Sequence, residues 1–241
     1  MPDKYIKFSK SQNTPNTITE LSIKDRKYLL LTYLFFNQNP DGIVHTSINS
    51  ICGDLNYCLT NKGVKNHQNS FKETLDALIQ ENAVQFYPTV YMPSYESVTD
   101  QKLFVIQINN EALYSISANY VDITFEEFNK ILSVSKSSNI AAHKLFNVYL
   151  VLKSLMTMGK DSLHYCYPSF RYLATSTSSS VSTIATILTT LYTNKLIYIY
   201  NFLTTEHLKD KYHNVELVFA LEQYPDENIL QEFLKASPPA S

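Results

Sequence analysis

The chain has no tryptophan, only four glycines in 241 residues and only three cysteines, and the last two shortages each remove a class of chemistry. With four glycines, neither a phosphate-cradling Walker loop nor a dinucleotide fingerprint occurs. Cys52, Cys58 and Cys166 are odd in number and lack metal-type spacing, so they are expected as buried thiols of a reducing compartment. Long apolar runs are also missing. The longest, Tyr28 to Phe36 (YLLLTYLFF), is about half the length that a bilayer requires. Residues 1–19 are polar and carry no apolar signal core, which leads to the expectation of a cytoplasmic protein without a membrane segment.

Catalytic constellations are absent as well. Among the six histidines no pair has the i, i+4 spacing of a zinc helix, and no His-x-His pair occurs. Asp41 and His45 are four apart but fall in a turn and a strand, where one helix face cannot present both. The Ser-rich run from Thr175 to Ser182 lacks the Gly-x-Ser-x-Gly elbow that exposes a nucleophile. Counting does not dismiss a nucleophile among the 18 tyrosines, but no metal site accompanies them to activate a phosphate. The expectation is a protein with no catalytic residues, no metal and no cofactor.

Charge is sparse and balanced: 20 Lys and Arg against 22 Asp and Glu give a net charge of −2. A nonspecific nucleic-acid binder is usually basic, so any such use here must rest on small local clusters.

What is present is a repeated order of elements. From Tyr167 to Asn201 (YPSFRYLATSTSSSVSTIATILTTLYTNKLIYIYN) the sequence predicts a short strand, a short helix opened by Pro168 and Ser169, a polar turn and a second helix. Ser178 or Ser179 is the expected cap of that second helix. Its apolar positions Val181, Ile184, Ala185, Leu188 and Leu191 recur at steps of three and four, opposite Ser180, Ser182, Thr183 and Thr186. Ile197 to Tyr200 favours a strand, with Val215 to Ala220 as its return and Leu203 to Asn214 as the wing between them. This is the sequence shape of a winged helix.

The first half follows the same order. It has a helix over Asp25–Asn37, turn chemistry at Asn39-Pro40-Asp41-Gly42, a strand at Ile43–His45, and a short helix capped by Thr46 or Ser47. A long polar connection, Asn56 to Gln68, then leads to a helix over Asn69–Gln80. A hairpin follows, formed by Val84–Tyr87 and Leu103–Ile108. In the second half the leading helix is expected over Asn139–Met158. Between the halves lie a strand at Tyr120–Thr124 and a helix at Phe125–Leu132, and Thr124 with Glu127 has capping-box spacing. The aromatic helix at Tyr28–Phe36 is apolar nearly all round and is expected to be buried between units or in a dimer interface.

The predicted fold class is therefore mainly α with small β-hairpins (α+β), as tandem winged helix-turn-helix units. The units occupy 22–110 and 138–221, with a linking strand and helix at 111–137. A short helix and disordered tail take up 222–241. The tandem arrangement, the YVDITFEEFNKIL link and the PSFRYLATSTSSSVSTIATILTTLYTNKLI core resemble plasmid Rep-type replication initiators. They also resemble the winged-helix domains of DnaD-type primosomal proteins and phage replisome organisers, over roughly residues 22–220.

The resemblance implies a DNA-binding protein of replication initiation or transcription regulation, with double-stranded DNA as ligand. Homodimerisation and contact with replication or transcription proteins would accompany that role. By position it implies Ser178, Ser180, Ser182 and Thr183 in the major groove, and Lys209 and Lys211 on the backbone. Further phosphate contacts are expected from Lys62, Lys65, Lys72, Arg171 and Lys195. The stretch from Thr175 to Thr190 contains no Arg or Lys, so the commonest bidentate contact to guanine is missing from it. A neutral helix in a near-neutral chain also suits a second use, a non-catalytic scaffold whose winged helices dock other proteins.

Overall fold

A computed structural model describes residues 5–9, 26–57, 64–88, 94, 101–109, 120–158, 164–201 and 217–221. The expected wing at 203–214, most of the first hairpin tip, and the short helix and tail after residue 221 lie outside them. The fold is mixed, with α-helices and small antiparallel sheets.

The elements in chain order are β1 (Tyr5–Ser9), α1 (Lys27–Asn37), β2 (Ile43–Thr46), α2 (Ile48–Asp54) and α3 (Val64–Gln80). Next come β3 (Val84–Tyr87), β4 (Phe104–Ile108), β5 (Tyr120–Thr124), α4 (Phe125–Ser138) and α5 (Ala142–Leu155). The last are β6 (Thr157–Met158), β7 (His164–Cys166), α6 (Phe170–Ser176), α7 (Val181–Thr193), β8 (Tyr198–Asn201) and β9 (Leu217–Ala220).

Two runs share one connectivity. In the first, α1 is followed by β2, α2, α3 and the β3–β4 hairpin, and the sheet order is β2-β4-β3. In the second, α5 leads through β7, α6 and α7 to β8 and β9, and the sheet order is β6-β7-β9-β8. The strand before the paired helices thus lies beside the last strand of its run in both. The register is also comparable: Val44 stands opposite Ile106 in one sheet and Cys166 opposite Phe219 in the other.

The helix ends repeat more closely than the letters. Ser47 caps α2 by accepting from the Ser50 amide at 3.0 Å, and Ser169 caps α6 by accepting from the Tyr172 amide at 3.1 Å. Both are seven-residue helices, and both end in a left-handed residue, Asn56 (φ 62°) and Ser178 (φ 47°). The next amide then reaches back five residues, Tyr57 to the Cys52 carbonyl at 2.8 Å and Ser179 to that of Ala174 at 2.9 Å. α3 and α7 close in the same way. Asn82 (φ 56°) and Lys195 (φ 55°) are left-handed, and Ala83 and Leu196 bond the Leu78 and Leu191 carbonyls, each at 2.9 Å. These are Schellman closures, and at the ends of α3 and α7 a buried apolar residue follows the left-handed one. Glycine normally takes that position. In a chain with so little of it, Asn, Ser and Lys adopt the conformation instead.

One continuous hydrophobic core runs through both halves. All of Tyr28–Phe36 in α1 is buried, and α1 packs against both α3 and α5. The aromatic helix therefore lies between the two runs, as its all-round apolar character requires. Phe36 meets Phe125 and Phe128 of α4, and Phe128 meets Phe146 of α5. The capping box is formed: Thr124 Oγ1 accepts from the Glu127 amide at 3.1 Å and Glu127 Oε2 from the Thr124 amide at 2.7 Å.

Several boundaries differ from the sequence expectation. β1 lies in the segment read as polar, where Ile6 and Phe8 are buried and the strand pairs antiparallel with β5. α3 begins at Val64 rather than Asn69, so residues 64–68 belong to a helix and not to a polar connection. α4 continues to Ser138 and is closed by left-handed Asn139, which delays α5 to Ala142. Thr157 and Met158, expected in a helix, form β6 against β7. Ser180, not Ser178 or Ser179, caps α7 by accepting from the Thr183 amide at 3.1 Å. The buried face of α7 is Ile184, Ile187, Leu188 and Leu191, whereas Val181 is 49% exposed.

Candidate nucleic-acid interface

The structure gives α7 a hydroxyl-covered outer face. Val181, Ser182, Thr186, Thr189, Tyr192 and Thr193 are exposed, and none carries charge. Many of these hydroxyls turn back on their own helix. Thr186 donates to the Ser182 carbonyl at 3.1 Å, Thr189 to that of Ala185 at 2.9 Å, and Thr190 to that of Thr186 at 2.8 Å. At the N-terminus Ser180 Oγ lies 2.9 Å from Ser182 Oγ and 2.8 Å from Thr183 Oγ1. With their protons engaged internally, the threonine oxygens offer lone pairs and their methyl groups offer apolar contact. Neither grips a phosphate, which is itself an acceptor.

The expected site residues divide accordingly. Ser178 is exposed in the left-handed turn before α7, with Ser180, Ser182 and Thr183 clustered at the start of the helix. Arg171 is exposed on α6. Lys195 is exposed just after α7, and its carbonyl accepts from Lys130 Nζ of α4 at 2.9 Å. Lys65 and Lys72 lie on α3, exposed and half-buried respectively; Lys65 is therefore helical rather than part of a loop. Lys62, Lys209 and Lys211 lie outside the described residues.

α3 holds the same place in its run as α7, yet its chemistry differs. Its inner side is Gln68, Phe71, Thr74, Leu75 and Leu78, all buried. The outer side exposes Lys65, Asn66, Asn69 and Glu73. Asn66 and Asn69 carry no signal in the sequence because the apolar stripe stops at Phe71. One turn earlier the buried position is polar Gln68, held by its Nε2 donating to Asn49 Oδ1 at 2.7 Å. A glutamine breaks an apolar pattern even when it is buried and satisfied.

A cluster at the seam of the two runs is likewise invisible to the sequence pattern. The Arg26 guanidinium lies 4.5 Å from the Tyr57 ring centre and 4.8 Å from that of Phe71. It donates to the His67 carbonyl at 3.2 Å and lies 2.9 Å from His67 Nδ1. Tyr57 in turn meets His143 of α5. Burial is the largest influence throughout. It pushes the Tyr57 hydroxyl up to about 12 and holds His143 down to about 4, with the Arg26 charge adding to the effect on His143. Burial and Arg26 also lower His67, while burial lowers Arg26 itself. Asn56 Nδ2 donates to the Leu132 carbonyl at 2.7 Å and ties the end of α2 to the linking helix α4.

A further half-buried network fixes β5 and α4 on α5. Glu127 accepts from Tyr149 Oη at 2.5 Å and from Lys153 Nζ at 2.7 and 2.9 Å, while Lys153 also pairs with Asp122 at 3.4 Å. Burial, reinforced by Glu127, raises the Tyr149 hydroxyl well above its ordinary value. These groups support the frame that carries the helices. Cys52 and Cys166 are buried thiols outside any disulfide, and no cluster of His, Cys, Asp and Glu among the described residues could hold a metal. Nor is any described helix long and apolar enough to cross a membrane.

No protein-family model matches the chain, and no curated protein matches it in sequence.

Proposed function

We propose that the chain is a DNA-binding protein of tandem winged-helix type, acting in replication initiation of a plasmid or phage or in transcriptional regulation. The observation that carries this reading is the repeated connectivity. Each run has a leading helix, a strand, a short capped helix, a longer helix and two further strands, with the first strand beside the last. That order is the one in which a helix-turn-helix is backed by a hairpin, and its second helix is the element such modules lay in a major groove. Exposed Lys65, Arg171 and Lys195 supply phosphate contacts, joined by Lys62, Lys72, Lys209 and Lys211.

A titration of the full chain against duplex DNA at several salt concentrations tests the reading. Affinity should fall as salt rises, and Lys209→Ala with Lys211→Ala should flatten the slope by about 0.9 for each phosphate no longer neutralised. Absence of binding to duplex at low salt, in a folded sample, rejects it.

A second reading, a scaffold that docks proteins, draws on the uncharged outer face of α7 with exposed Val181 and Tyr192. Under that reading duplex affinity is absent and the lysine variants change nothing.

A further inference from the structure

We infer that α3, rather than α7, is the helix that reads base sequence, with Asn66 and Asn69 each pairing with an adenine in the major groove. This rests on the DNA-binding reading above and adds to it which helix discriminates and for which base. Asn66 and Asn69 are three residues apart and Lys65 and Asn69 four, so the three project from one face of α3. All three are exposed, and the opposite face is anchored by buried Phe71, Leu75 and Leu78. A carboxamide presents a donor and an acceptor side by side, which matches N7 and N6 of adenine. Lys65 sits one turn before Asn69, at the end of α3 where base-reading helices enter the groove. Glu73 and Asp76 follow toward the C-terminal half, so the acidic part of α3 lies away from the entering end.

α7 has no equivalent. Its outer face carries neither amide nor cation, and the Thr186, Thr189 and Thr190 protons are donated to its own carbonyls. What remains on α7 is acceptor oxygen and methyl surface, which suits contact with groove shape and thymine methyls more than discrimination among all four bases.

The test is selection of binding sites from a pool of duplexes with a randomised central region. It is carried out with the full chain, with Asn66→Ala/Asn69→Ala and with Ser182→Ala/Thr183→Ala, the selected duplexes then being titrated. Circular dichroism confirms that each variant keeps its helix content. The expected result is a wild-type site containing adenines whose preference disappears in the asparagine variant. Affinity for the selected duplex should fall by roughly five- to a hundred-fold for each asparagine–adenine pair removed, with the salt slope unchanged. The hydroxyl variant should keep the adenines. Disappearance of base preference in the hydroxyl variant but not in the asparagine variant would overturn the assignment in favour of α7. A preference that survives in both would overturn it in favour of elements outside these two helices. Failure of the wild-type chain to retain any duplex at low salt would instead reject DNA binding itself, a distinct outcome from selective binding that ignores Asn66 and Asn69.

Discussion

The phenolic oxygen of Tyr57 lies 2.5 Å from Nδ1 of His143, and the His143 amide donates back to that oxygen at 3.2 Å. The oxygen thus accepts from the amide and meets Nδ1 as well, donating to it or accepting from it according to the imidazole tautomer. The rings stack at 20°, and the Arg26 charge stands against the Tyr57 ring. A proton on His143 would place a second cation beside Arg26 in this seam.

Acid sensitivity follows from this contact. His143 is held near 4 when folded and takes its ordinary value of 6.5 when unfolded, so between these limits the unfolded chain binds the extra proton. Stability should therefore be complete above about pH 6.5, fall as the pH drops toward 4, and level off below, by on the order of 3 kcal/mol from this group. His67 is shifted in the same direction and adds to the loss with the same sign. Denaturant unfolding at a series of pH values measures the slope. His143→Gln should remove most of the difference between about pH 6.5 and 4.5, and an unchanged slope would show that the seam tolerates the charge.

The Glu127 network makes a second demand. Lys153 and Glu127 are only 12% and 22% exposed, and Glu127 also receives the Thr124 amide and the Tyr149 hydroxyl. Removing the lysine leaves a carboxylate with two donors and no countercharge in a half-dry site. Lys153→Met should cost about 2–4 kcal/mol, whereas Lys153→Met with Glu127→Gln should recover part of that loss. A double-mutant cycle by chemical denaturation reads the coupling, and additive losses would mean that the pair contributes nothing beyond its packing.

Sequence pattern reached the order of the helices and strands but not the parts that depend on distant partners. Ile6 and Phe8 of β1 are buried two apart, yet the segment's only reason to be a strand is β5, more than a hundred residues later. Periodicity placed α7 and most of its buried face. Of Val181, Ile184, Ala185, Leu188 and Leu191, packing against α5 and α6 buries Ile184, Leu188 and Leu191, adds Ile187, and leaves Val181 exposed. Exposed Lys65 and Arg171 were legible because charge marks surface. Asn66 was not, because it falls in the segment that reads as a polar connection, and Asn69 reads only as the first residue of its helix.

The observed rotation of α7 sharpens a test of its faces. Leu188 is 2% exposed, while Thr186 is exposed and its hydroxyl turns back on its own backbone. Leu188→Asp should unfold or aggregate the chain, since an unpaired buried carboxylate costs several kcal/mol. Thr186→Asp should shift the thermal midpoint by a degree or two at most, on the scale of about 0.5 kcal/mol expected for surface changes. Val181→Asp, a position that the sequence alone would place in the core, should resemble the threonine variant. A severe effect of Val181→Asp would show that its exposed surface is covered in the native protein.

Lys195 separates stability from binding at a single position. Its backbone is left-handed at φ 55°, which costs an ordinary side chain about 1 kcal/mol, while its carbonyl holds Lys130 regardless of side chain. Lys195→Gly should relieve that strain and raise stability by roughly 0.5–1 kcal/mol, partly offset by the greater freedom of glycine in the unfolded chain. Under the DNA-binding reading the same change removes a phosphate contact at the end of α7, so affinity should fall across all duplex sequences and the salt slope should flatten by about 0.9. Thermal unfolding and a salt series on one preparation measure both effects. A variant that is more stable and binds less tightly, without altered base preference, assigns Lys195 to the backbone. A more stable variant with unchanged affinity removes the end of α7 from the interface and leaves α3 as the element nearest the duplex.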